Sequence, residues 1–79
     1  MGRLPWPLMS ASSHQAELSS VRSQLEELRA RVEKIATTYQ GTPDSALAAE
    51  LFEADRALTT AGRTIDRALT ALSDLAAYQ

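Results

Sequence analysis

Apolar residues recur three and four positions apart along most of the chain. A repeat of about 3.5 residues places one apolar stripe along an α-helix, which is the pattern of helices that pack as in a coiled coil. The stripe runs through two long segments. The sequence predicts that the two segments pack on each other along an intrachain seam formed by Leu18, Val21, Leu25, Leu28, Val32, Ile35, Tyr39, Leu47, Leu51, Ala54, Leu58, Ala61, Ile65, Ala68, Leu72 and Leu75.

A short run of helix-ending and helix-starting residues separates the two stripes. Gly41 suits the left-handed position that ends a helix, and Thr42, Pro43 and Asp44 suit the N-cap, the first helical position and the first turn of the next helix. A connection this short folds the second helix back along the first. The predicted fold class is therefore all-α, an antiparallel two-helix hairpin that is coiled-coil-like.

The first ten residues differ from the rest because prolines alternate with large apolar side chains. Proline favours extended backbone, so we expect an arm that is either a docking element or, over its first eight residues, not native to the protein. The predicted domains are an extended or disordered arm at 1–10 and a hairpin at 11–79, with a helix over about 11–40, a turn at 41–43 and a helix over about 43–78.

An antiparallel arrangement about Gly41 sets the two stripes against each other in layers. In the expected register Val32 lies near Ala54, and large side chains face small ones in alternate layers. The same arrangement brings Asp55 to the flank of the first helix that carries Arg29. We therefore expect an ion pair between the helices at this point.

A chain of 79 residues without cysteine buries only a small core, so a partner is expected. The sequence predicts a homo- or hetero-oligomer, with dimerisation completing a four-helix bundle. Two residues keep a simpler interpretation open: Phe52 folds over Tyr39 at the turn, and Gly62 is a tolerated weak point. The candidate partner interface consists of Trp6, Ala48, Phe52, Gly62, Leu69 and Ala76.

The charge pattern argues against nucleic acid and membrane partners. Eight Lys and Arg residues are interspersed with ten Asp and Glu residues, which gives a net charge of −2 and no basic stripe for a phosphate backbone. No apolar run approaches the roughly 20 residues of a membrane span, and the start lacks the apolar region of a cleaved signal peptide. We expect a soluble chain that is cytoplasmic, or exported without a cleaved signal peptide.

The sequence offers little for catalysis. His14 is the single histidine, and one imidazole with Glu17 does not make a metal site. No nucleophile elbow, phosphate-binding glycine loop or inward-facing carboxylate pair is present, and a two-helix seam has no pocket. We expect no catalytic residues, no cofactor, no metal and no small-molecule substrate, and so a protein that is not an enzyme.

The turn carries a resemblance to a known family. Tyr39-Gln40-Gly41 lies between two long helices, and there the chain resembles the WxG-type helical-hairpin proteins of type VII (ESX-like) secretion systems, with Tyr in place of Trp. The resemblance implies a homo- or heterodimer that forms a four-helix bundle. The family's export motif, Tyr-x-x-x-Asp/Glu, is absent because Tyr78 is followed only by Gln79, so the resemblance implies that a partner chain supplies it.

A second class of protein fits the same pattern. In a cytoplasmic coiled-coil adaptor or structural subunit of a larger complex, the stripes serve oligomerisation alone, and Trp6 docks onto a larger partner as an aromatic anchor. Both classes make the chain a non-catalytic protein–protein interaction module. They differ in whether the protein leaves the cell.

Overall fold

The computed structural model describes residues 6–77, and side-chain environments for 12–75 and 77. Two helices, α1 (Trp6–Tyr39) and α2 (Ser45–Ala77), pack against each other along their length. The molecule extends over 61 × 21 × 14 Å. The predicted all-α antiparallel hairpin is confirmed.

The helix ends differ from the predicted ones. Helix α1 begins at Trp6, so residues 6–10 are helical where an extended arm was expected. The reason is that proline is tolerated in the first turn of a helix, where its missing N–H has no intrahelical acceptor, and Pro7 lies there. The rest of the expected arm, residues 1–5, and the end of the expected second helix lie outside the described residues.

The turn has the geometry that its residues predict. Gly41 adopts a φ of 75°, the left-handed conformation in which glycine carries no side-chain penalty. The hydroxyl of Thr42 donates to the Tyr39 carbonyl at 2.6 Å and accepts from the backbone N–H of Asp44 at 3.1 Å. One threonine therefore closes the end of α1 and caps the start of α2.

Two contacts fix the register of the hairpin. Arg29 donates to the Asp55 carboxylate at 2.8 Å, and the Arg22 guanidinium lies against the backbone of Gly62. Seven residues along α1 thus correspond to seven residues back along α2. The expected Arg29 to Asp55 pair is confirmed, whereas the expected pairing of Val32 with Ala54 is displaced by about two residues.

Small residues form the closest part of the interface. Ala36 is fully buried, Ala48 is 3% exposed and Gly62 is also buried. Extending the register by one heptad beyond Arg29 and Asp55 places Ala36 opposite Ala48. Small side chains here let the two helices approach closely near the turn.

The burial pattern corrects part of the predicted seam. Of its members, the structure half-buries Leu18, Leu25, Val32, Tyr39, Leu51, Ala54, Leu58, Ile65 and Leu72 between the helices. The others, which were expected to be internal, are exposed: Val21, Leu28, Ile35, Leu47, Ala61, Ala68 and Leu75.

The candidate partner interface is corrected in the opposite sense. Ala48 and Gly62 are buried inside the hairpin, and Phe52 and Leu69 are half-buried there. The side chains of Trp6 and Ala76 lie outside the described set. The physical reason for both corrections is that each helix has been turned by about one residue, or about 100°, relative to the purely apolar seam.

Candidate protein-binding face

One flank of the hairpin, which we term the charged face, is held by ion pairs of Arg22, Glu26, Arg29, Asp55 and Asp66. The Arg29 side chain is central because its guanidinium contacts carboxylates on both helices. It reaches Asp55 at 2.8 Å and Glu26 at 3.1 Å. Arg29 and Asp55 are 24% and 18% exposed, so this pair is among the less hydrated groups of the flank.

Arg22 repeats the arrangement one heptad earlier. It donates to both carboxylate oxygens of Asp66, at 2.8 and 3.3 Å, and lies 3.6 Å from Glu26. Two forked pairs thus cross the interface, with Glu26 between the two arginines. Because the guanidinium is planar and its donors are fixed in a fork, such pairs set the register of the helices.

The pKa values of this flank follow from the hydrogen bonds. The hydrogen bond from Arg29, with its positive charge, lowers the pKa of the Glu26 carboxyl below its ordinary value of 4.5. The bonds to Glu26 and then Asp55 raise the pKa of the Arg29 guanidinium, and the bond to Asp66 raises that of Arg22. All of these groups are therefore charged at neutral pH.

The opposite flank carries the large apolar side chains that the hairpin leaves in solvent. Each lies one residue before a position that faces the other helix; Leu28 precedes Arg29, for example. Their exposed fractions are 40% to 50%. We term this flank the apolar face, and its large members are Val21, Leu28, Ile35, Leu47 and Leu75.

Three alanines fill the space between the large residues of α2. Ala54, Ala61 and Ala68 follow Leu47 at steps of seven and precede Leu75 by the same step. The apolar face therefore has a ridge of large side chains on α1 beside a shallow groove of small ones on α2. This is the shape that accepts another helix by ridges-into-grooves packing.

The described residues provide no second kind of site. His14 is exposed, and no group of three His, Cys, Asp or Glu residues among them is placed to hold a metal ion. In the same part of the chain no buried side-chain polar atom lacks a hydrogen-bond partner. Neither described helix contains an apolar stretch long enough to cross a lipid bilayer.

Sequence reasoning found the apolar stripe but missed which half of it the hairpin keeps. The missed interface residues on α1 are Arg22 and Ala36, at heptad steps on either side of Arg29. The signal was a second heptad series, one residue later, in which arginines on α1 oppose Asp55 and Gly62 on α2. No protein-family model, curated protein or solved structure matches the chain.

Proposed function

We propose that this chain is a non-catalytic assembly module whose apolar face binds another protein. The observation that carries the proposal is the contrast between the two flanks. Ion pairs within the chain close one flank, whereas five large apolar side chains remain 40% to 50% exposed in a line on the other. Monomeric proteins seldom leave a continuous apolar patch of more than a few hundred Å² in water.

The size of the hairpin supports the same proposal. The fully buried apolar residues among those described are the two alanines Ala36 and Ala48, and an alanine contributes little apolar area. A chain of this length gains stability chiefly by adding buried surface from outside. Covering the apolar face supplies that surface without changing the hairpin.

A site-specific photo-cross-linker tests the proposal in the source cell. Placed at Leu28, on the apolar face, it should give discrete protein adducts. Placed at Glu27, the exposed neighbour on the same turn, it should give none. Equal labelling at both positions, or none at either, would contradict the proposal.

The biological setting that we propose for this module is a type VII-like secretion system, in which it is a small secreted hairpin or the dimer partner of one. Support comes from the turn, where Tyr39 is half-buried at the end of α1 and Gly41 is left-handed. A cytoplasmic adaptor would use the same apolar face but remain inside the cell.

Fractionation of the source cell separates these settings. The secreted hairpin should appear in the culture medium, and deletion of the secretion ATPase should retain it in the cells. A protein that stays in the cells in both strains is the cytoplasmic adaptor.

A further inference from the structure

The apolar face is unevenly filled along its length. Near the turn it carries Ile35 and Leu47, and the next two layers add Leu28 and Val21. Further from the turn the corresponding position of α1 is His14, which is exposed and polar. The apolar surface is therefore concentrated in the half of the hairpin that contains the turn.

The register shows which residues of the face lie side by side. Because Arg29 is opposite Asp55 and Arg22 is opposite Gly62, the residues that precede them are also level. Leu28 thus lies beside Ala54, and the same step sets Val21 beside Ala61 and Ile35 beside Leu47. Large residues of α1 flank small residues of α2 in two of these three layers.

The area of the face matches what a dimer needs. From Leu47 to Leu75 it runs about 42 Å at the helical rise of 1.5 Å per residue. The hairpin is 21 Å wide. Burying this face removes on the order of 800 Å² from each copy, the typical contribution of one partner to a stable interface.

We propose that the apolar face binds a second copy of this chain, with both turns at the same end of a four-helix bundle. This inference rests on the proposed function and names the partner. A two-fold axis parallel to the helices places α1 of each copy over α2 of the other. Each layer then meets its own equivalent, so that Leu28 of one copy covers Ala54 of the second, and Val21 covers Ala61.

The opposite arrangement, with the turns at the two ends, does not align the layers. It requires a two-fold axis across the helices. An axis at Leu28 leaves Leu75 of each copy without an apolar neighbour. An axis level with Val21 and Ala61 sets Leu28 against the polar His14 and leaves Ile35 beyond the end of the row.

Charges at the rim favour the same arrangement. Arg31 and Glu50 each follow a large residue of the apolar face by three positions, and so lie at its two outer edges. Both are exposed, and neither forms an ion pair with another described residue of its own chain. With the turns at one end, Arg31 of each copy meets Glu50 of the other at nearly the same level.

Distances between spin labels test the orientation, and the absence of cysteine makes single labels clean. Ser45→Cys places a label beside the turn and Ser73→Cys one near the other end; both serines are exposed. We expect both label pairs at about 30 Å, a distance set by the bundle's cross-section. A dimer with the turns at opposite ends would separate at least one pair by more than about 40 Å and would overturn the orientation.

Light scattering on the purified full chain tests the partner. A mass of twice 8.6 kDa is expected. A folded monomer at millimolar concentration would overturn the inference that the partner is a second copy. The proposed function would then still be judged by the cross-linking at Leu28, where adducts to a different protein would uphold it and no adduct would end it.

A charge exchange tests the rim. Arg31→Glu alone, and Glu50→Arg alone, each place like charges together twice per dimer and should weaken dimerisation about 3- to 10-fold. Because the two positions lie at opposite edges within one chain, only contact between copies allows the double variant to recover. Recovery to near the original dissociation constant is expected, and a double variant no better than the weaker single one would refute the pairing of Arg31 with Glu50.

Discussion

The two flanks of the hairpin differ by one residue along each helix, yet they meet opposite fates. On α1, Leu28 lies in solvent while the next residue, Arg29, is held between carboxylates of both helices. On α2, exposed Leu47 precedes buried Ala48. A rotation of about 100° per residue is sufficient to send adjacent side chains to different surfaces.

This contrast shows that a polar residue is not always the one that faces water. Arginine has a long apolar stem and a guanidinium that keeps its charge while it bonds carboxylates, so it can line a helix interface when acids stand opposite. A leucine gains more where a separate protein covers it. The chain therefore uses charge to pair its own helices and keeps apolar surface for association.

The largest effect is expected where the two helices approach most closely. Ala36→Leu inserts a larger side chain at a fully buried position and should lower the free energy of unfolding by about 1 to 3 kcal/mol. Ala30→Leu, on an exposed part of the same helix, is the matched control and should change it by less than about 0.5 kcal/mol. Urea unfolding at a fixed protein concentration measures both, and equal effects would mean that Ala36 does not face α2.

The next prediction uses the adjacent pair on α1. Arg29→Glu places a negative charge beside Glu26 and Asp55, so the melting temperature should fall by more than about 5 °C. Leu28→Glu changes an exposed side chain and should leave helicity intact, while light scattering shows loss of association. Circular dichroism and light scattering on both variants give the comparison, and a Leu28→Glu protein that unfolds like Arg29→Glu would contradict the two-flank description.

The fold was predictable because its signals are local and agree with one another. The apolar repeat gives two helices, and Gly41 with Thr42 and Pro43 gives a turn too short for anything but an antiparallel return. Even the Arg29 to Asp55 pair could be predicted, because it needs only an approximate register.

The rotation of each helix could not be predicted from apolar spacing alone. The apolar stripe is wider than one interface needs, since Leu28 and Ile35 extend it to one side of Leu25 and Val32. Spacing ranks leucine above arginine and alanine for an internal position. The free energy of the hairpin depends instead on close approach at Ala36 and on the carboxylates opposite Arg29, which are relations between helices.

Acid should weaken the charged face and spare the apolar one. The pKa of Glu26 is lowered in the folded chain, so its contribution to stability is complete above its unfolded value of 4.5 and is lost as the pH falls through the folded value. The urea midpoint should therefore drop between pH 5 and pH 3. The drop should be smaller in Glu26→Gln, and an identical drop in that variant would show that other carboxylates account for the acid sensitivity.

The smallest effect concerns Gly62, where the charged face crosses a glycine in the middle of α2. A Cβ there would lie 3.1 Å from the central guanidinium carbon of Arg22 and 3.3 and 3.4 Å from its terminal nitrogens. The contact is tight, but it is with the far end of a flexible side chain that is 30% exposed, which shifts by a few tenths of an ångström. Alanine also relieves the helix of a glycine, which is worth up to about 1 kcal/mol.

Gly62→Ala should therefore stabilise the chain by less than about 1 kcal/mol, since part of the gain is used to displace Arg22. In an Arg22→Ala background the same change should give the whole of it. Urea unfolding of the four proteins in this cycle measures the difference. If Gly62→Ala destabilises the chain while Arg22 is present and stabilises it once Arg22 is removed, the guanidinium is fixed against Asp66 more rigidly than an exposed pair, and Gly62 is required by the charged face.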